Sequence, residues 1–92
     1  MSVEVKIPTV LRKHTNNEAV LAANGSTIRE LIDDIASTYP EFREKVLAEG
    51  GELHRFINVY ANDEDVRYLE GLDTKVQDGD SVAILPAVAG GR

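Results

Sequence analysis

The residues best suited to chemistry stand at the carboxyl end, where the chain reads Ala87-Val88-Ala89-Gly90-Gly91-Arg92. Side chains shrink along this segment and then vanish. Consecutive glycines carry no Cβ, so the backbone there can lie extended in a channel too narrow for other residues. A tail that leaves a strand at a fixed point on a compact body is one an enzyme could thread by its tip while gripping the body. The same composition also suits an ordinary frayed chain end, and on residue types alone both readings stand. Other constellations are weaker. His14 and His54 have no cysteine to join them and no ligand-like spacing, so no metal site is assigned and both read as surface or loop residues. Asp63-Glu64-Asp65 and the pair Asp78 and Asp80 lack the spaced ligands and fixed glycine of a calcium loop and read as solvated turns. No nucleophile, base and orienting residue can be assembled from chain order, so no catalytic residue is assigned.

The chain that must carry this tail has 92 residues, 42% hydrophobic and 28% charged, which suits one folded domain and leaves no room for a second. With no cysteine, a disulfide framework, a thiolate zinc site and a cysteine nucleophile are all excluded. The formal net charge of −6 has the wrong sign for tracking phosphates or anionic lipid, so neither nucleic acid nor membrane is an expected partner. On charge, the natural partner is basic. Most of the excess sits between Asp63 and Asp80, where Asp63, Glu64, Asp65, Glu70, Asp73, Asp78 and Asp80 face only Arg67 and Lys75. That stretch is a candidate docking surface for such a partner. No run approaches the roughly 20 apolar residues that span a bilayer, and the start Met1-Ser2-Val3-Glu4-Val5-Lys6 has no signal-peptide pattern. A cytoplasmic protein, monomeric when free, is expected.

The elements follow from periodicity. Val3, Val5 and Ile7 alternate with polar residues and predict a strand ended by Pro8. A second strand over 18–23, bounded by Asn24-Gly25, is predicted to pair with it. Ile28, Leu31, Ile32, Ile35, Ala36 and Tyr39 mark one face of a helix, and Thr27 with Glu30 reads as a capping box. Pro40 ends that helix and opens a shorter one through Phe42, Val46 and Leu47, which Gly50-Gly51 are expected to close through a left-handed residue. Phe56 to Tyr60 predict a third strand, Asn62-Asp63 a turn, and Val66 a short strand beyond it. Ser81 to Pro86 is a near-continuous apolar run, expected as a central strand buried on both faces. Phe42, Phe56, Tyr60 and Tyr68 read as core or rim residues rather than an exposed patch. One long amphipathic helix must cover one face of a sheet of about four to five strands. The fold class is therefore α+β of the β-grasp type, a mixed sheet with a main helix across it and a short second helix. The expected organisation is a β-grasp domain over 1–86 and a flexible tail over 87–92 ending Gly-Gly-Arg.

Four strings carry a resemblance to a known family. They are Val5 to Arg12, His54 to Tyr60, Asn62 to Arg67, and Asp78-Gly79-Asp80-Ser81-Val82 running through Ile84-Leu85-Pro86 to Gly91. Together they resemble the ThiS/MoaD family of ubiquitin-like sulfur carriers, most closely its CysO branch. The resemblance implies that the carboxylate of Gly91 is adenylated by an ATP-using, E1-like enzyme and then converted to a thiocarboxylate. Ala87, Val88, Ala89, Gly90 and Gly91 would be the threaded segment. It further implies a sulfur-accepting synthase, a pyridoxal-phosphate cysteine synthase in the CysO-like case, and a JAMM-type zinc peptidase. ATP, pyridoxal phosphate and zinc would belong to those partners, and this chain would bind no cofactor. The sequence departs from the pattern at Arg92, which follows Gly-Gly and carries the terminal carboxylate itself. The resemblance then implies a precursor trimmed between Gly91 and Arg92. A protein modifier joined to lysines through Gly91 and a non-catalytic β-grasp interaction module are the alternatives.

Overall fold

The structure, a computed structural model, describes residues 2–86. The alternation at the start builds β1 (Val3–Lys6), with Val3 and Val5 buried and Glu4 and Lys6 exposed. Ile7 continues the buried set, and after Pro8 the chain coils through a 3-10 turn, Thr9–His14, that buries Leu11. Asn16 and Asn17 take positive φ values of 56° and 64°, a conformation asparagine tolerates better than most residues. They return the chain to β2 (Val20–Ala23), which pairs antiparallel with β1 from Val3 opposite Ala23 to Lys6 opposite Val20. The strand begins two residues later than its predicted start, because Glu18 N–H closes a turn on the Thr15 carbonyl at 2.9 Å.

Helix α1 (Ile28–Thr38) buries Ile28, Leu31, Ile32, Ile35 and Ala36 of the predicted stripe, while Tyr39, its sixth member, stands at the C-cap and is only partly buried against the core. Thr27 caps it, its hydroxyl accepting from Glu30 N–H at 3.2 Å. The reciprocal half of the capping box differs. Glu30 Oε1 accepts from Ser26 N–H at 2.7 Å, one residue before the cap, and the same segment bridges to Lys75. Helix α2 (Pro40–Val46) follows without a connecting loop and buries Phe42 and Val46 completely. It ends before the glycines expected to close it. Leu47 is extended and bridges to Leu53, His54 N–H reaches the Val46 carbonyl, and Gly51, at φ 84°, serves a later turn on Ala48.

Strand β3 (Ile57–Ala61) buries Ile57, Val59 and Ala61, and starts one residue later than expected. Asn62 and Asp63, at φ 50° and 74°, make the tight hairpin that leads to β4 (Glu64–Asp65). Val66 does not extend that strand. Asp65 Oδ1 accepts from Arg67 N–H at 2.9 Å and winds Val66–Tyr68 into a 3-10 turn whose first residue, Val66, is buried. After Gly79, at φ 91°, comes β5 (Ser81–Pro86).

The sheet order is β2-β1-β5-β3-β4, with β1 and β5 parallel and every other pair antiparallel. The five-stranded mixed sheet with α1 packed on one face is the expected ubiquitin-like β-grasp. Strand β5 is central as predicted, but it is buried on one face only. Val82 and Ile84 enter the core, whereas Ser81, Ala83 and Leu85 face the other way and Leu85 is 45% exposed. Both helices serve a single layer, so the second face of the sheet stays uncovered among the described residues.

Candidate functional site

The tail leaves the body at the end of β5, and the neighbouring strands define that exit. The parallel register sets Lys6 opposite Ala83, and the antiparallel register sets Ile57 opposite Pro86. The end of β1 and the start of β3 therefore flank the last residues of β5. Pro86 has no N–H to give to the ladder, a residue type suited to ending strand pairing. Ala87, Val88, Ala89, Gly90, Gly91 and Arg92, expected as threaded segment, sulfur-bearing residue and processing site, lie outside the described residues.

An arginine from a neighbouring turn braces each flank. On the β1 side Arg12 Nε donates to the Ile7 carbonyl at 3.0 Å, holding the 3-10 turn against the strand end. On the β3 side the Arg67 guanidinium donates to the Ile57 carbonyl at 2.7 Å, to the His54 carbonyl at 3.2 Å and to Asn58 Oδ1. A planar fork with several N–H groups suits three acceptors converging from one bend of chain. At the other end of β5, Asn62 Oδ1 accepts from Ser81 N–H at 3.0 Å and Asp78 Oδ1 from Ser2 N–H at 2.6 Å. The strings that carried the resemblance are thus the walls and anchors of one strand, brought together from four parts of the chain.

Beside the exit, on the β1–β2 side, lies an open groove of about 510 Å³. Its apolar lining includes Pro8, Val10, Val20 and Leu85, its charged lining is Lys6 and Arg12, and it contains no carboxylate. Val10, Val20 and Leu85 are 59%, 46% and 45% exposed, so among the described residues apolar surface remains open near the end of β5. The groove was not legible in the sequence, because its residues come from β1, the 3-10 turn, β2 and β5.

Neither histidine lines this groove. His14 Nδ1 lies 3.0 Å from Glu41 Oε1, tying the 3-10 turn to α2. The His54 ring lies 5.4 Å from that of Phe56, tilted 35° to it. No three His, Asp or Glu side chains form a metal-holding group among the described residues. The aromatic residues divide. Phe42 is core and Tyr60 half-buried, but Phe56 is 49% and Tyr68 88% exposed, against the expectation of core or rim. Phe56 precedes the buried start of β3 and is covered on one side by Arg55 at 5.3 Å, while Tyr68 ends the short turn whose buried contact is Val66.

Fold and exit together define a ubiquitin-like β-grasp protein whose C-terminal segment is presented by the central strand of the sheet. A model of the ThiS family matches residues 5–91, and the chain belongs to that family. The sulfur carrier protein CysO of Mycobacterium tuberculosis is 50% identical over 93 residues, covering 99% of this chain and 100% of the relative. Among solved structures, a chain of the Amycolatopsis orientalis BexX/CysO complex is 53% identical with a TM-score of 0.89, covering 97% of this chain and 99% of its own. The solution structure of small archaeal modifier protein 1 from Methanosarcina acetivorans is 30% identical with a TM-score of 0.84, over 98% of this chain and 96% of its own. No helix among the described residues is long and apolar enough to cross a membrane.

Proposed function

We infer that this chain is a sulfur carrier: a protein co-substrate, itself without catalytic activity, that holds sulfur as a thiocarboxylate on Gly91 once Arg92 has been removed. The observation that carries the reading is that the ThiS-family match runs from β1 through the strand anchors to Gly91, so that body and Gly-Gly tail are matched as one unit. The chemistry needs an activated carboxyl group. A carboxylate resists nucleophiles because of its charge, and joining it to adenylate makes a mixed anhydride with a good leaving group. The carboxylate oxygen attacks the α-phosphorus of ATP, pyrophosphate leaves, and a sulfur nucleophile then displaces AMP.

ATP belongs to an E1-like adenylating partner. The sulfur acceptor is a biosynthetic synthase, a pyridoxal-phosphate cysteine synthase on the strength of the CysO relatives, and a JAMM-type zinc peptidase is the candidate for trimming. This chain holds none of these cofactors, and its work is cytoplasmic, where ATP and such enzymes meet. Threading explains the composition of Ala87 to Gly91: the partner grips the β-grasp body while the narrow tip enters its active site.

The test is the intact mass of the protein isolated from its native host. The expected spectrum shows loss of the Arg92 residue, with a fraction carrying one sulfur in place of one oxygen. Arg92 retained on every molecule, or lysine-linked ladders in place of the sulfur-bearing species, would overturn the reading.

A further inference from the structure

We propose that the groove beside the tail exit docks an acidic segment of the adenylating partner, an apolar side chain flanked by carboxylates. This rests on the sulfur-carrier reading above and specifies how the partner grips the body. The net charge of −6 points to a basic partner, but charge is not evenly spread along β5. At the end where the strand starts stand Asp63 and Glu64 of the hairpin together with Asp78 and Asp80 of the preceding turn. At the exit end the order of sign reverses. Lys6 and Arg12 line the groove without a carboxylate, and Arg55 and Arg67 stand on the β3 flank.

Neither Lys6 nor Arg12 makes an ion pair among the described residues; the ion pairs found there join His14 to Glu41, Arg29 to Asp73 and Arg43 to Asp33. Arg12 is also held in place. Its Nε is committed to the Ile7 carbonyl, which fixes where the remaining guanidinium N–H groups stand. Exposed Val10, Val20 and Leu85 line the same groove as the cations, an apolar floor whose natural occupant is one apolar side chain. A partner that must draw in the tail has to contact the surface from which the tail leaves. That surface is positive and apolar, so complementarity requires the partner's contact to be negative and apolar. The distant acidic end then serves to orient the carrier, since a basic surface on the partner is repelled by the exit and an acidic one is repelled by the end where β5 starts.

The test uses the full-length chain and the E1-like adenylating enzyme encoded in the same genome, with binding measured by titration calorimetry and adenylation by ATP–pyrophosphate exchange. Lys6→Glu is the primary variant, because Lys6 is exposed and makes no side-chain hydrogen bond among the described residues, so folding is spared. Replacing one attraction by one repulsion across a few ångströms of partly wet interface is expected to weaken binding about tenfold at low salt. Lys6→Glu with Arg12→Glu should lose about a hundredfold, and both losses should shrink in high salt. The double substitution Asp63→Lys with Glu64→Lys should change affinity less than twofold. Thermal melts of each variant report whether folding is kept. Unchanged or tighter binding of Lys6→Glu, or equal losses from the hairpin variant, would overturn the proposal. So would self-association of the free chain that Lys6→Glu abolishes, because the groove would then belong to a second copy. A wild-type chain, trimmed to Gly91, that is neither bound nor adenylated would instead overturn the sulfur-carrier reading, and the docking proposal with it.

Discussion

Replacing Arg67 by alanine removes a brace that spans three parts of the chain. The guanidinium holds the Ile57 carbonyl at 2.7 Å in a partly buried position, the His54 carbonyl at 3.2 Å in an exposed one, and Asn58 Oδ1. A hydrogen bond to a charged donor contributes about 1.5–3 kcal/mol when sheltered and much less at an exposed site. The partly buried Ile57 bond therefore accounts for most of the effect, and the two exposed bonds add a few tenths each. The total expected loss is about 2 kcal/mol, or about 10 °C in Tm for a domain of this size. Arg67→Lys should recover less than half of it. A single ammonium can satisfy one of the carbonyls but cannot span the fork of acceptors. The assay is urea unfolding of wild type, Arg67→Ala and Arg67→Lys, followed by amide exchange of the Ile57–Ala61 strand. Exchange should quicken at Ile57 before it does at Val59, since the brace acts on the strand's entry. An Arg67→Ala variant within about 0.5 kcal/mol of wild type would refute the reasoning, as would full rescue by lysine.

Other substitutions test the frame of the fold. Gly25→Ala would set a Cβ 2.7 Å from Glu30 Cβ and 3.0 Å from Leu31 N, inside van der Waals contact with the first turn of α1. A loss of about 1–3 kcal/mol in urea unfolding is expected, although the position lies outside the left-handed region. Thr27→Ala removes the acceptor for Glu30 N–H and should cost about 1 kcal/mol, with Thr27→Ser restoring most of it. Phe42→Ala empties a position with no exposed surface where α2 meets the core, and about 3–5 kcal/mol should be lost. That is enough to unfold much of so small a domain at room temperature, as near-ultraviolet absorbance or proteolysis would show.

What the sequence determined by itself is what short-range physics controls. The period of two in Val3, Val5 and Ile7, the helical stripe from Ile28 to Ala36, the Thr27 cap and the Asn62-Asp63 turn depend on residues within a few positions of one another, and they stand where periodicity sets them. The central place of β5 was also legible, from its run of apolar residues between turn signals. What was not legible depended on partners far along the chain. That β5 is buried on one face only follows from both helices lying in one layer, a matter of chirality and connection that no local pattern reports. The early end of α2 follows from Leu47 pairing with Leu53 and His54 with Val46. Phe56 and Tyr68 share the composition of core residues but sit just outside buried positions, and a one-residue step along a strand or a tight turn reverses the facing.

The site divides in the same way. Gly90-Gly91 is visible in sequence because its chemistry is the absence of side chains, a local property. The surroundings of the tail exit are not. Arg67 reaches thirteen residues back to the His54 carbonyl and ten to that of Ile57, and the groove draws Lys6, Arg12, Val20 and Leu85 from separate elements. Most telling is charge. The composition sums to −6 and assigns the chain a basic partner, whereas folding carries the carboxylates of the hairpin and the Asp78-Gly79-Asp80 turn to one end of β5 and leaves cations at the other. Net charge is a sum over residues and is set by the sequence alone. The field at one end of one strand depends on which residues are near it, and only the tertiary structure decides that.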